Sequence, residues 1–275
     1  MLRLLERSIA ALQGRLLVVA PRIVERDAPF TNVAADPAKR WAVLREVQRV
    51  RGAIYLHDGA LQRHQLSSDG RHHTDEDERS WHLLFLNRHR RVSACVWYLD
   101  QGLAPAFDRL RVLSTPPMQN EASRGKLFDA VESELRRARH DGLAYAEVGG
   151  WAVAPQSRCT SEGLLLALGA YSLGRLLGGS LGMTTATVRH ASSSILRRLG
   201  GSPLESRGEA IPAYYDPKYG CMMELLRFDS RYPSPKYAGL VDRLCENLID
   251  VPVISASQQY EFGALETVGA ELAVA

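Results

Sequence analysis

Residues 161–178 carry Leu164, Leu165, Leu166, Leu168, Tyr171, Leu173, Leu176 and Leu177 around nearly every side of one predicted helix. A helix that is apolar all round has to be buried on most sides. It follows directly on residues 144–153, which read as a strand. A buried helix beside a strand fits the middle of a layered α/β core. With 275 residues, 45% hydrophobic and 24% charged, the chain suits one large domain or two small ones. No Gly/Ser/Pro-rich linker divides it, so a single domain over 1–275 is expected, with its core at about 15–230 and a C-terminal helix and tail over 231–275.

The elements follow one another in a legible order. Asp36-Pro37 opens a helix with Trp41, Leu44, Val47 and Val50 at helical spacing, and Gly52 is expected to end it. Before it, residues 16–20 and 22–26 read as a strand interrupted at Pro21, and 1–13 as an accessory helix. Residues 81–86 and 92–99 form a predicted hairpin around a basic turn at 87–91. A helix over 121–140 shows a stripe of Leu127, Phe128, Val131 and Leu135. Strands are expected at 182–188, 210–215 and 221–228, with helices at 192–201 and 237–248 and a loose tail after Ser255. The polar stretch 66–80 holds His72, His73, Asp75 and Asp77 and reads as a solvated loop rather than a metal cluster, because adjacent His residues on a loop preset no coordination geometry.

Several classes are excluded on the same grounds. Lys and Arg exceed Asp and Glu by 34 − 31 = 3, too little for a nucleic-acid partner. Cys95, Cys159, Cys221 and Cys245 lie far apart, without disulfide-scaffold or zinc spacing, so a reducing cytoplasm is the default and no metal is expected. No apolar run reaches the roughly 18 residues of a membrane span, and the charged start lacks the core of a signal peptide.

The most informative segment is 147–163, a strand, a polar turn and a helix start. Strict alternation puts Tyr145, Glu147, Gly149, Trp151 and Val153 on one face. Gly149-Gly150 inside a strand marks a bulge or a close approach by a ligand. The helix start presents free N–H groups, suited to phosphate, with Arg158 adding a cation; a plain β–α turn with a surface Arg fits the local pattern equally well.

Val153-Ala-Pro155 followed by Arg158-Cys-Thr-Ser161-Glu-Gly163 resembles the GCN5-related N-acetyltransferase (GNAT) superfamily, where such a loop holds the pyrophosphate of an acyl thioester. Within it, residues 147–153, the Arg40-rich helix ending in Tyr55-Leu56, and residues 212–221 resemble the acyl-homoserine-lactone and N-acyl amino acid synthase branch, over roughly 15–230. The resemblance implies a mixed, mostly antiparallel sheet with helices on both faces, splayed between the fourth and fifth core strands. It implies transfer of a fatty acyl group from acyl carrier protein or coenzyme A to an amino acid or similar amine, with no permanently bound cofactor. Lactone synthesis, plain acetyl transfer and a non-catalytic binding module are the alternatives. Val153, Arg158, Cys159, Thr160, Ser161 and Gly163 would bind the donor's phosphopantetheine, and Trp97 and Trp151 the substrate. Ser161 stands where the pattern has its first glycine, which suits a carrier protein's single phosphate.

The chemistry needs a base for the amine, donors for the oxyanion and a proton for the thiolate. Glu147 is the candidate base, a buried carboxylate paired with an Arg being the alternative. The helix after the fifth strand has no Tyr to protonate the thiolate. Tyr215 is a stand-in against a packed strand Tyr, and His190 faces either the substrates or the structure.

Overall fold

The structure, a computed structural model, describes residues 15–257 apart from 25, 27 and 159, and only the backbone of 190. The accessory helix expected over 1–13 and the tail from 258 lie outside the described residues. In chain order the strands and helices are β1 (Leu16–Val19), β2 (Val33–Ala35), α1 (Pro37–His57), β3 (Trp81–Leu86), β4 (Val92–Asp100), α2 (Pro116–Gln119), α3 (Glu121–His140) and β5 (Ala144–Val153). There follow α4 (Glu162–Leu176), β6 (Ser180–Thr187), α5 (Ser192–Leu199), the short β7 (Ser202–Pro203), β8 (Glu205–Ser206) and β9 (Glu209–Ala210), then β10 (Tyr214–Asp216), β11 (Cys221–Asp229), α6 (Ala238–Ile249) and β12 (Val253–Ser255).

One large sheet runs β10-β11-β6-β5-β4-β3-β1-β12-β2. It is antiparallel except where β5 meets β6 and where β12 lies parallel between β1 and β2. Helices α4 and α6 cover one face, burying Leu165, Leu166, Val241 and Leu244 against Ala94, Tyr98 and Phe228. On the other face α3 packs Leu127, Val131 and Leu135 on Tyr145 and Met183, and α1 packs Val47 and Ile54 on Leu84 and Cys95. The mixed sheet with helices on both faces is therefore as expected.

Local differences have physical causes. The capping carboxylate of Asp36 accepts from the Lys39 N–H at 2.8 Å, but α1 runs through Gly52 to His57. Gly52 is small because another chain segment crosses it: a Cβ there would sit 2.6 Å from the Gly70 carbonyl oxygen. Residues 22–26 form no strand among those described. The strand β12, unforeseen in the sequence, ties the C-terminal segment into the sheet through Val18↔Val253 and Val253↔Val33.

The decisive irregularity is in β5. Its pairing with β4 passes from Trp97↔Gly149 to Cys95↔Ala152, so three residues of β5 oppose two of β4. The extra residue falls at Gly150, whose φ is +63°, a left-handed conformation that glycine adopts without strain. The Trp97 indole fills the space beside the bulge: a Cβ on Gly149 would lie 2.3 Å from Trp97 Cζ2 and one on Gly150 2.2 Å from its Cδ1. The close approach is thus made by a side chain of β4. The bulge also inverts the alternation. Tyr145 faces α3, whereas Trp151 and Val153 pack toward α4, so Trp151 does not share the face of Glu147.

On its other edge β5 pairs with β6 from Ala144↔Ser180 only to Val148↔Thr184. Both strands continue, to Val153 and Thr187, without pairing, which is the splay expected of this fold. We expect Gly149→Ala to cost about 1–3 kcal/mol by overpacking against the indole. In a Trp97→Ala background most of that cost should vanish, as a double-mutant cycle by urea denaturation would show.

Candidate functional site

The splay opens into a cleft of about 940 Å³ that passes through the sheet. Its middle is the unpaired stretch of β5, with Thr184, Thr185 and Thr187 of β6 opposite. Toward α4 the walls are apolar: Ala167, Ala170, Tyr171, Leu199 and Phe228. On the other face they are aromatic and polar, with Tyr55, Arg111, Tyr214 and Tyr219.

Four of the predicted donor-binding residues, Val153, Arg158, Thr160 and Gly163, line this cleft. Gly163 brings the start of α4 against the end of β5, since a Cβ there would lie 3.1 Å from Val153 Cγ2. Thr160 Oγ1 donates to the Ser157 carbonyl at 2.6 Å and accepts from the Glu162 N–H at 3.2 Å. Ser161 holds the N-cap position, makes no side-chain cap bond and does not line the cleft. Cys159 lies outside the described residues. Arg158 Nη2 donates to both Asp58 carboxylate oxygens at 2.8 and 2.7 Å, and Arg189 donates to the Asp58, Gly59 and Gly220 carbonyls. The end of α1 thereby fixes two cations at the rim.

Trp151 lines the cleft, and its buried indole Nε1 has no hydrogen-bond partner among the described residues. Trp97 does not reach it: the indole is buried behind the bulge and covered by the Arg111 guanidinium, 4.8 Å from the ring centroid. Its expected contact with substrate is corrected to support of the wall. Tyr215 is also corrected. It projects into solvent from the outer strand β10, while Tyr214 beside it, on the opposite face of the strand, lines the cleft with a hydroxyl that is buried and unpartnered among the described residues. Burial pushes the Tyr214 hydroxyl well above its ordinary pKa, keeping it protonated. The backbone of His190 lies in the turn Arg189–Ala191 after β6, and its side chain is not described.

Glu147 sits one register pair before the splay, opposite Met183, and is buried beneath the cleft rather than lining it. Its oxygens accept from the Arg111 backbone N–H at 2.9 Å and from Gln101 Nε2 at 2.7 Å. Among the described residues no Arg side chain pairs with it; the Arg111 guanidinium instead bonds Glu76 at 2.8 Å. Burial raises the Glu147 carboxyl from 4.5 to about 7, against the opposing pull of Gln101 and Arg111.

The stretch 66–80 is not a solvated loop throughout. Arg51 of α1 grips Asp77 at 2.8 and 2.7 Å and bonds His72 Nδ1 at 3.2 Å, all three side chains being buried. Gln48 and the Thr74 N–H complete the shell around Asp77, and the His72 ring packs 5.6 Å from that of Tyr55 in the cleft wall. Among the described residues no group of His, Cys, Asp and Glu is placed to hold a metal ion. No helix among them is long and apolar enough to cross a membrane.

No family model matches the chain, and neither does any curated protein. Solved structures do. A CoA-dependent acyl-homoserine lactone synthase, BjaI, solved with MTA, matches at a TM-score of 0.55 and 16% identity over 88% of this chain and 92% of that one. The same synthase with SAM and isopentyl-CoA matches at 0.51 and 15% identity, with the same coverage. FeeM, an N-acyl amino acid synthase from uncultured soil microbes, aligns at 0.43 and 12% identity over 72% of this chain and 88% of that one. The chain therefore has the GNAT-like fold of the acyl-homoserine lactone synthases.

Glu147 gives a pH signature. Its folded pKa lies above the unfolded one, so between pH 4.5 and about 7 the folded state binds more protons and stability falls as pH rises. Glu147→Gln removes that loss. Relative to wild type its melting temperature should rise between pH 5 and pH 8, by an increment equivalent to at most about 3 kcal/mol. A pH-independent difference would place the carboxyl in an ordinary solvated environment.

Proposed function

We propose that the chain is an N-acyltransferase that moves a fatty acyl group from an acyl thioester, carried by acyl carrier protein or coenzyme A, to the amine of an amino acid or a similar small molecule. The observation that carries this reading is the splay between β5 and β6, which opens into a cleft with one apolar and one polar half. The pantetheine arm enters at the unpaired stretch of β5, whose free backbone groups bond its amides. Arg158 and the start of α4 hold its phosphate. The acyl chain lies along Ala167 and Ala170 toward Tyr171 and Phe228, and the acceptor occupies the half with Tyr55, Arg111 and Tyr219.

Glu147, with a pKa near neutrality, takes the ammonium proton through a water. The amine nitrogen then attacks the thioester carbonyl, the C–N bond forms and the C–S bond breaks. The neutral Tyr214 hydroxyl supplies the proton that the departing thiolate needs and is restored by the second proton that the nitrogen sheds as it becomes the amide, taking over the role first considered for Tyr215.

The test is product formation from purified protein, followed by mass spectrometry, with acetyl, octanoyl and hexadecanoyl thioesters and a panel of amines. Each buried CH₂ stabilises by about 0.8 kcal/mol, so the longer donors should be favoured strongly. Equal or better turnover with acetyl-CoA would establish plain acetyl transfer, and a lactone product would establish the other branch. Glu147→Gln should lower kcat by roughly 10²–10⁴-fold with donor binding intact. Arg158→Ala should weaken donor binding by about 1–3 kcal/mol. Full turnover by folded Glu147→Gln would remove this residue from the mechanism.

A further inference from the structure

Glu147 is held from outside its own strand by two donors, and the two differ in kind. On the paired strands β4 and β5, Leu99 is the partner of Glu147. Gln101 lies two residues past Leu99, so its side chain falls on the same face, beside the carboxyl. Its Nε2 donates to Glu147 Oε2 at 2.7 Å, while the Arg111 backbone N–H donates to Oε1 at 2.9 Å. Arg111 opens a single-turn 3₁₀ helix, Arg111–Ser114, whose first amide has no acceptor within the turn. That bond therefore has a structural reason of its own. The Gln101 bond has no such reason, because the backbone is already paired around it: the Gln101 N–H donates to the Tyr145 carbonyl and the Tyr145 N–H to the Gly102 carbonyl, each at 2.9 Å. The Asp100 carboxylate accepts from the Gly102 N–H at 2.8 Å, which fixes the turn off the strand. The course of the chain is set without the Gln101 amide.

What the amide does is electrostatic and geometric. A carboxyl that is only 4% exposed loses its hydration, which favours the protonated form. The hydrogen bond from Gln101 is the largest influence opposing that effect, followed by the Arg111 guanidinium and backbone N–H, with Glu76 acting the other way. The other ionisable groups on this side are the Tyr145 hydroxyl on β5 and, beyond it, Glu134 and Arg137 of α3. The strands beside Glu147 present Leu99 and Met183, which carry no charge. Gln101 is neutral, so it stabilises the carboxylate without the deep lowering that a paired cation produces. A base has to be ionised at neutral pH and still attract a proton, and a neutral donor on a buried carboxylate meets both conditions. The two donors occupy two of the roughly four lone-pair positions on the carboxylate and fix its plane, leaving the others for the water that relays the proton.

We propose that Gln101 is a positioning residue for the acyl transfer: its amide holds the Glu147 carboxylate charged and in one plane, aimed at the water through which it takes the acceptor's proton. This rests on the reading of Glu147 as the base and deepens it. Gln101 does not line the cleft and touches neither substrate, so it acts through Glu147 alone.

The test uses the full chain and two substitutions of opposite effect. Gln101→Leu keeps the size of the side chain and removes the donor, and Gln101→Lys replaces a neutral donor by a cation; melting temperatures confirm that both fold. The Glu147 carboxyl is followed by carbon NMR on protein isotopically labelled at glutamate Cδ, its signal identified by its loss in Glu147→Gln. In Gln101→Leu its titration should move up by about one to two pH units, the scale of a hydrogen bond to a charged group. In Gln101→Lys it should move down. The acid limb of kcat, measured with an octanoyl thioester and the best amine of the panel above, should move in the same two directions. At pH 7 Gln101→Leu should turn over roughly five- to fiftyfold more slowly, recover toward the wild-type rate at high pH and keep the KM for the donor. A carboxyl titration that neither substitution moves overturns the proposal and leaves the acyl-transfer reading standing. So does a loss of kcat that is the same at every pH in both variants, which would assign Gln101 to the architecture of the loop. A titration that moves while the kcat limb stays in place overturns it by removing Glu147 from the mechanism. Absence of turnover by the wild-type chain with every thioester of the panel removes the acyl-transfer reading itself, and the catalytic part of Gln101 with it.

Discussion

The Trp97 indole pressed against Gly149-Gly150 is the contact on which the site depends. An indole beside a strand backbone leaves no room for Cβ atoms, so the strand needs two glycines, and the second takes a left-handed conformation. The resulting bulge has two consequences. It reverses which side chains face which layer, sending Trp151 toward α4. It also increases the local twist, which carries the end of β5 away from β6. The wedge that costs the sheet part of its ladder thus creates the opening, and Arg111 stacked on the same indole closes its back.

A second buried device holds the polar wall. Arg51 and Asp77 are both removed from water, which is tolerable because their oxygens and N–H groups are nearly all engaged by each other, Gln48, Thr74 and His72. This clamp joins α1 to the segment before β3 at the level of Tyr55 and leaves the cleft wall few alternative packings. Asp58, one residue past α1, fixes Arg158 from the same helix. One long helix therefore positions aromatic and cationic groups on two sides of the cleft, and its passage through Gly52 is what gives it that reach.

The two halves of the cleft differ because the two faces of the sheet are covered differently. The apolar α4 can only bury itself, and its small residues Ala167 and Ala170 leave a hydrophobic channel beneath it. The opposite face is covered by α1 and α3 with loops beside them, which bring polar and aromatic side chains such as Tyr55, Arg111 and Tyr219. On the acyl-transfer reading proposed above, the chemical asymmetry between an apolar acyl chain and a polar amine is matched by that of the layers.

Much of this was legible in the chain itself. Hydrophobic periodicity, the Asp36-Pro37 cap and the Gly-Gly pair placed most elements, and the segment 147–163 marked the strand, turn and helix that frame the cleft. These are local signals, set by backbone sterics and by which side chains avoid water. The rest depended on residues far apart in sequence. That Gly149-Gly150 accommodates Trp97, that Asp77 belongs to Arg51, that Tyr214 rather than Tyr215 faces the cleft, and that Val253 completes the sheet beside Val18 are long-range pairings. A bulge shifts alternation by one residue, so every inference about which face a side chain takes fails beyond it until the partner strand is known. The sequence by itself determined which segments become helix and strand and where water is excluded. Only the tertiary structure decided which side chains meet, because that choice is made by packing between segments that carry no local mark of their partners.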